Sequence, residues 1–226
     1  MYIRYYLSGF DKEYGYRENL SKALLQDIKK ANKIIYIPTD FSMKDKTLEY
    51  SAGFTSHFAK IGLNFEEVIV LNENMSKNDM HEHIIEADVV YLMGGNPNSQ
   101  LEILDKYNLE NSIRKTNAVV IGLSAGAMCM SKYSIVLPIN DKYPIIDIRK
   151  GMNLSGISIY PHYNAGGKIL DVFEDEKQIT KKSDILIAYQ KCGDFYLLGD
   201  DSVIRDYNGE LSFIGNEIIL VSSGML

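Results

Sequence analysis

Apolar residues fall along this chain in two alternating rhythms. Runs that are apolar at nearly every position occur at YIRYYL (2–7), KIIYIP (33–38), EVIVL (67–71), DVVYLM (88–93) and AVVIGL (118–123). Between them the spacing turns helical: in NLSKALLQDIKKA (19–31), Leu24, Leu25, Ile28 and Ala31 share one face. Further helices are expected over 47–61, where Gly62 can end the helix, and over 80–87, 99–107 and 111–116. Strands without polar alternation are buried on both faces, so strand and helix repeated in this way predict a doubly wound, mostly parallel α/β sheet with helices on both sides.

The last third changes character. Residues 135–153 read as loop, and SGISIYPHY (155–163) reads as a strand. DILIAY (184–189), FYLLGD (195–200), SVIRDY (202–207), ELSFI (210–214) and EIILVSS (217–223) are short strand-like runs set off by Gly and Asp, which predicts antiparallel hairpins or an added edge near the C-terminus. No internal repeat, low-complexity stretch or interdomain linker interrupts the chain, so a single α/β domain over 1–226 is expected.

Composition narrows the class. With 46% hydrophobic and 24% charged residues, 226 residues can bury a sizeable core. A net charge of −6, with the 24 Lys and Arg scattered, argues against a nucleic-acid partner. The start MYIRYYLSGF lacks the form of a signal peptide and no apolar run approaches membrane-spanning length, so a cytoplasmic protein without a membrane partner is expected. Cys129 and Cys192 are too few for a disulfide framework and lack metal-ligand spacing.

One junction carries chemistry. In VVIGLSAGAMCM (119–130) an apolar strand runs into Gly122, Leu123, Ser124, Ala125 and Gly126, with a helix expected directly after. This is the context a G-x-S-x-G nucleophile elbow requires: small flanking residues allow a tight, strained turn that lifts the serine above the sheet. The following backbone N–H, that of Ala125, is then available to an oxyanion. A small-residue turn that packs helix on strand is the competing reading. A serine hydroxyl needs a base, and four histidines are available. His57, His81 and His83 fall in helical segments and read as solvated surface residues. His162 ends the run GISIYP, where α/β sheets present functional groups. For the carboxylate that would orient it, spacing alone leaves Asp141, Asp147, Asp171, Glu174, Asp200 and Asp201 open. Finally, YLMGGNPNSQLEIL puts Gly94, Gly95 and Asn96 between a strand and a helix, either as a second source of oxyanion donors or as a plain capping turn.

Taken in order, YLMGGNPNSQLEIL, VVIGLSAGAM, NDKYPIID and ISIYPHYN resemble the dipeptidase E and cyanophycinase group of serine peptidases, peptidase family S51. The resemblance implies a class I glutamine amidotransferase-like, flavodoxin-like sheet and a serine-type dipeptidase acting on a small peptide without metal or organic cofactor. It implies Ser124 as nucleophile, His162 as base and Asp141 as the third residue. Gly94, Gly95 and Ala125 would form the oxyanion hole, with Asn96 and Lys168 as candidate substrate contacts. The segment after the histidine, YNAGGKILDVFEDEKQITKKS, has no arginine, whereas aspartyl dipeptidases of the group carry one, so aspartate specificity is not expected. A glutamine amidotransferase-like enzyme is an alternative, disfavoured by Ser124 in place of cysteine and by Asn164 where glutamate is needed. A catalytically silent or regulatory binding module is the other.

Overall fold

The computed structural model describes residues 1–9, 15–138, 145–163 and 182–224. Its centre is a parallel sheet of β1 (Ile3–Leu7), β2 (Lys33–Ile37), β3 (Glu67–Val70), β4 (Val89–Leu92) and β5 (Val119–Leu123). Between them run α1 (Glu18–Asp27), α2 (Lys44–Lys60), α3 (Lys77–Glu86), α4 (Pro97–Tyr107) and α5 (Glu110–Lys115). Two strands from the C-terminal third, β10 (Val203–Tyr207) and β11 (Glu210–Ile214), extend it as an antiparallel edge, giving the order β11-β10-β1-β5-β4-β2-β3. The expected doubly wound α/β sheet with added antiparallel strands is therefore the fold.

The continuous apolar runs are explained by their two faces. Tyr6, Ile35, Ile37, Val90, Leu92 and Val120 point into one core, and their neighbours Tyr5, Leu7, Ile34, Tyr36, Tyr91 and Ile121 point into the other. Every second side chain thus meets a different helical layer. Local signals fix the helix starts. Ser76 and Asp79 form a capping box ahead of α3, and Asn96 caps α4 with Pro97 in its first turn.

A second, five-stranded sheet has the order β12-β9-β8-β6-β7. It is built from β6 (Tyr133–Val136), β7 (Asp147–Lys150), β8 (Ile159–Tyr160), β9 (Phe195–Leu198) and β12 (Ile218–Val221). Together with α6 (Ala125–Met130) and α7 (Lys182–Cys192) these complete the described elements. Two expectations are corrected here. The stretch 135–153 is not all loop, since β6 and β7 pair antiparallel across it. DILIAY is not a strand but the middle of α7, whose Ile185, Ala188 and Cys192 recur at helical spacing against Ile135, Tyr160 and Phe195. No helix among the described residues is long and apolar enough to cross a membrane.

Candidate active site

The carboxyl ends of the parallel strands supply the site, as open α/β sheets generally do. At the end of β5 the chain turns into α6 through Ser124, whose φ of 50° and ψ of −108° lie where side-chain-bearing residues rarely fall. Such a conformation costs on the order of 1–3 kcal/mol and persists only when the surroundings enforce it. Here the Ser124 N–H donates to the Leu7 carbonyl (2.8 Å) and the Ser124 carbonyl accepts from Met128 N–H (3.0 Å). The flanking glycines are required by close approach. A Cβ on Gly122 would lie 2.6 Å from the Ala127 nitrogen, and one on Gly126 would collide with the Leu92 carbonyl. The sequence reading of this turn as a nucleophile elbow therefore has a steric basis.

His162 comes from the second sheet, two residues beyond β8. Its Nε2 lies 2.8 Å from Ser124 Oγ and its Nδ1 lies 2.7 Å from Asp200 Oδ1. An ionised carboxylate can only accept, so Nδ1 carries the proton and donates it to Asp200. In the neutral ring Nε2 is then the acceptor, and the Ser124 hydroxyl donates to it. The arrangement can take a proton from the serine as it attacks and hold the resulting imidazolium beside a carboxylate.

Asp200 reaches this position because β8 and β9 pair in parallel, with Tyr160 opposite Leu197, so the residues following both strands emerge side by side. The pairing continues as Tyr163 N–H donates to the Leu198 carbonyl (2.9 Å). Of the other carboxylates left open by spacing, Asp147 accepts from Asn98 Nδ2 (2.8 Å) and Arg149 Nε (3.1 Å), and Asp201 pairs with Arg17 (2.5 Å). Asp141, Asp171, Glu174 and Lys168 lie outside the described residues. Neighbouring Tyr163 is no rival base, because burial first and Glu217 second push its phenol up to about 12.

Gly94 and Gly95 border the same cleft as Ser124. Gly95 has a φ of 142°, and a Cβ there would strike Thr39 Oγ1, so only glycine fits. Among the described residues no acceptor engages the N–H of Gly94, Gly95 or Ala125. Asn96 caps instead: its Oδ1 accepts from Asn98 N–H (2.9 Å) and Ser99 N–H (3.3 Å).

Two residues of the site went unread in the sequence. Ser8, fully buried just past β1, accepts from His162 N–H at 2.7 Å and donates to the Leu198 carbonyl at 3.1 Å, so one hydroxyl ties both histidine and aspartate strands to the main sheet. Beside it, a Cβ on Gly9 would lie 3.1 Å from Asp200 Oδ1 and 3.5 Å from His162 Cε1. The only sequence signal was the small pair Ser8 and Gly9 ending an apolar strand. The histidine readings also change. His57 is buried and lines the cleft, and His81 is half-buried with Nδ1 2.7 Å from Ser112 Oγ; neither is a solvated surface residue. His83 is half-buried.

The fold is thus an α/β sheet whose carboxyl edge brings a strained serine turn, a histidine and a carboxylate into one hydrogen-bonded line. The family model of peptidase family S51 matches residues 7–214, and the chain belongs to that family. It is 30% identical over 90 residues to the uncharacterized peptidase YgaJ of Bacillus subtilis strain 168, a match covering 38% of this chain and 37% of that one. Two solved structures share the fold. A peptidase from an acI-B1 Actinobacterium superimposes with a TM-score of 0.67 at 15% identity, over 99% of this chain and 95% of that one. A putative peptidase E protein from Listeria monocytogenes EGD-e gives 0.64 at 19% identity, over 94% and 98%.

Proposed function

We propose that this protein is a serine peptidase that hydrolyses short peptides through an acyl-enzyme. Ser124 Oγ attacks the scissile carbonyl while His162 Nε2 takes its proton, and Asp200 stabilises the imidazolium from the Nδ1 side. The tetrahedral oxyanion is held by the N–H of Ala125 with those of Gly94 and Gly95. His162 then gives the proton to the departing amine. A water activated by the same nitrogen attacks the acyl-serine and regenerates the hydroxyl.

The observation that carries the reading is the unbroken hydrogen-bonded chain from Ser124 through His162 to Asp200. A cleft of about 790 Å³ beside Ser124 is of the size that accommodates small ligands, commonly ~300–1,000 Å³, and supports a dipeptide or slightly longer substrate. A cysteine-based amidotransferase mechanism gains no support, because Cys129 is fully buried in α6 and burial raises its thiol far above the ordinary range. Two buried, unpaired thiols support action in the cytoplasm.

The test is a small fluorophosphonate probe with peptide mass mapping, beside a dipeptide hydrolysis assay. Labelling at Ser124, lost in Ser124→Ala together with hydrolysis, is expected. An unlabelled native protein, or hydrolysis that survives the substitution, overturns the proposal.

A further inference from the structure

One wall of the cleft is a face of α2. Lys46, Tyr50, Gly53, Phe54 and His57 recur at helical spacing and all line the cavity, joined at its mouth by Met43. An amphipathic helix ordinarily turns its apolar stripe onto the core. Here only its inner part does so, with His57 buried and Phe54 packed against Tyr36 and Tyr91, whereas Tyr50 and Met43 are 43% and 45% exposed. The rings are stacked in a series that runs inward from the cleft. Tyr50 and Phe54 have centroids 6.3 Å apart at 15°, and Phe54 and Tyr91 5.2 Å apart at 24°.

Gly53 lies in the middle of this stripe. A glycine inside a helix destabilises it by roughly 0.5–1 kcal/mol relative to alanine, so its presence calls for a local reason. Packing supplies none, because a Cβ at Gly53 would meet no atom within 4 Å, and its φ is not positive. The missing side chain leaves room beside Phe54, on the cavity side.

We propose that the α2 face formed by Met43, Tyr50, Gly53 and Phe54 is the subsite for an apolar, preferably aromatic, residue flanking the scissile bond, and that Gly53 sets its depth. This deepens the proposed peptidase activity and rests on it. A ring entering here stacks against Tyr50 and Phe54 and gains contact area that a small residue lacks. Charge points the same way: Asp40 and Glu49 line the cavity, and Lys46 is the sole Lys or Arg among its described lining residues. An acidic side chain would enter a cavity lined by Asp40, Glu49, Asp200 and Asp201 against the single ammonium of Lys46, which lies 5.7 Å from the Tyr50 ring centroid.

The experiment compares Phe-Leu, Leu-Phe, Ala-Ala and Asp-Leu as substrates of the native protein, Gly53→Ala and Gly53→Leu. Thermal melting and the rate of labelling by a small fluorophosphonate are followed in parallel. The native protein is expected to favour one of the phenylalanine peptides over Asp-Leu by at least about tenfold in kcat/KM. Gly53→Leu is expected to lose at least about tenfold on that peptide through KM, with little change on Ala-Ala. Gly53→Ala should melt about 2–4 °C higher, since a helix propensity gain of that order shifts a chain of this size by that amount. Both variants should label at the native rate, which separates a filled subsite from a damaged active site. Native preference for Asp-Leu, or unchanged discrimination in Gly53→Leu, overturns the subsite. Absence of labelling in the native protein instead removes the serine mechanism and the subsite with it.

Discussion

Replacing Ser8 by alanine removes one oxygen from a place where it holds two sheets together. The hydroxyl is fully buried, takes the His162 N–H at 2.7 Å and gives its proton to the Leu198 carbonyl at 3.1 Å. The Ser8 N–H bond to the Ser202 carbonyl (3.1 Å) does not depend on the side chain and would survive. Ser8→Ala therefore orphans the His162 N–H, at a cost of about 1–3 kcal/mol when water cannot reach it, while the Leu198 carbonyl keeps the Tyr163 N–H at 2.9 Å. A loss of roughly 1–3 kcal/mol corresponds to a melting point lower by about 2–12 °C at this size. The same bond fixes the backbone of His162, which sits at a φ of 59°. A shift of its ring by about 1 Å would lower turnover on the order of 100-fold. Calorimetry and steady-state kinetics on one preparation measure both, and kcat should fall with KM little altered because Ser8 touches no substrate. Melting within about 1 °C of the native protein together with turnover within twofold would refute the clamp.

One substitution and one chemical modification probe the elbow and the thiols. Gly126→Ala sets a methyl group against the Leu92 carbonyl, and overpacking of this kind costs about 1–3 kcal/mol; a melting point lower by several degrees with slowed fluorophosphonate labelling of Ser124 is expected, and native values for both would contradict the steric account. Burial holds the Cys192 thiol up at about 11 and raises that of Cys129 well beyond it. Because a raised pKa leaves the unreactive thiol form dominant below it, iodoacetamide at pH 8 should modify neither cysteine in the folded protein and leave hydrolysis unchanged. Inactivation on alkylation would contradict that.

The parallel sheet was legible because its strands are buried on both sides, and an unbroken apolar run of strand length such as IIYI (34–37) is what two covered faces require. The elbow was legible because its geometry demands small residues at fixed offsets from Ser124. The second sheet was not, since β6 and β7 are four residues each, with Tyr133, Ser134, Arg149 and Lys150 mixed into their runs. DILIAY misled for the opposite reason: three consecutive aliphatic residues look like a strand until the period is followed on to Cys192. Asp200 was one of six carboxylates with nothing local to single it out. It meets a histidine 38 residues away only because β8 and β9 are parallel neighbours, a pairing that neither strand encodes alone. His57 gave no sign of burial for a related reason, since what covers it, Tyr16 and Gly15, lies more than forty residues earlier in the chain.

The central claim is that Asp200 orients His162 for proton transfer from Ser124, and the turnover number of Asp200→Asn measures it most directly. An amide there still accepts or donates a hydrogen bond but carries no charge and can favour the wrong tautomer, a change that costs on the order of 10⁴-fold where a triad operates. A drop in kcat of about 10³–10⁴-fold is predicted, with KM and the melting point near native and Asp141→Asn close to native in all three. Turnover of Asp200→Asn within tenfold of the native protein, or a comparable loss seen only in Asp141→Asn, would contradict the account.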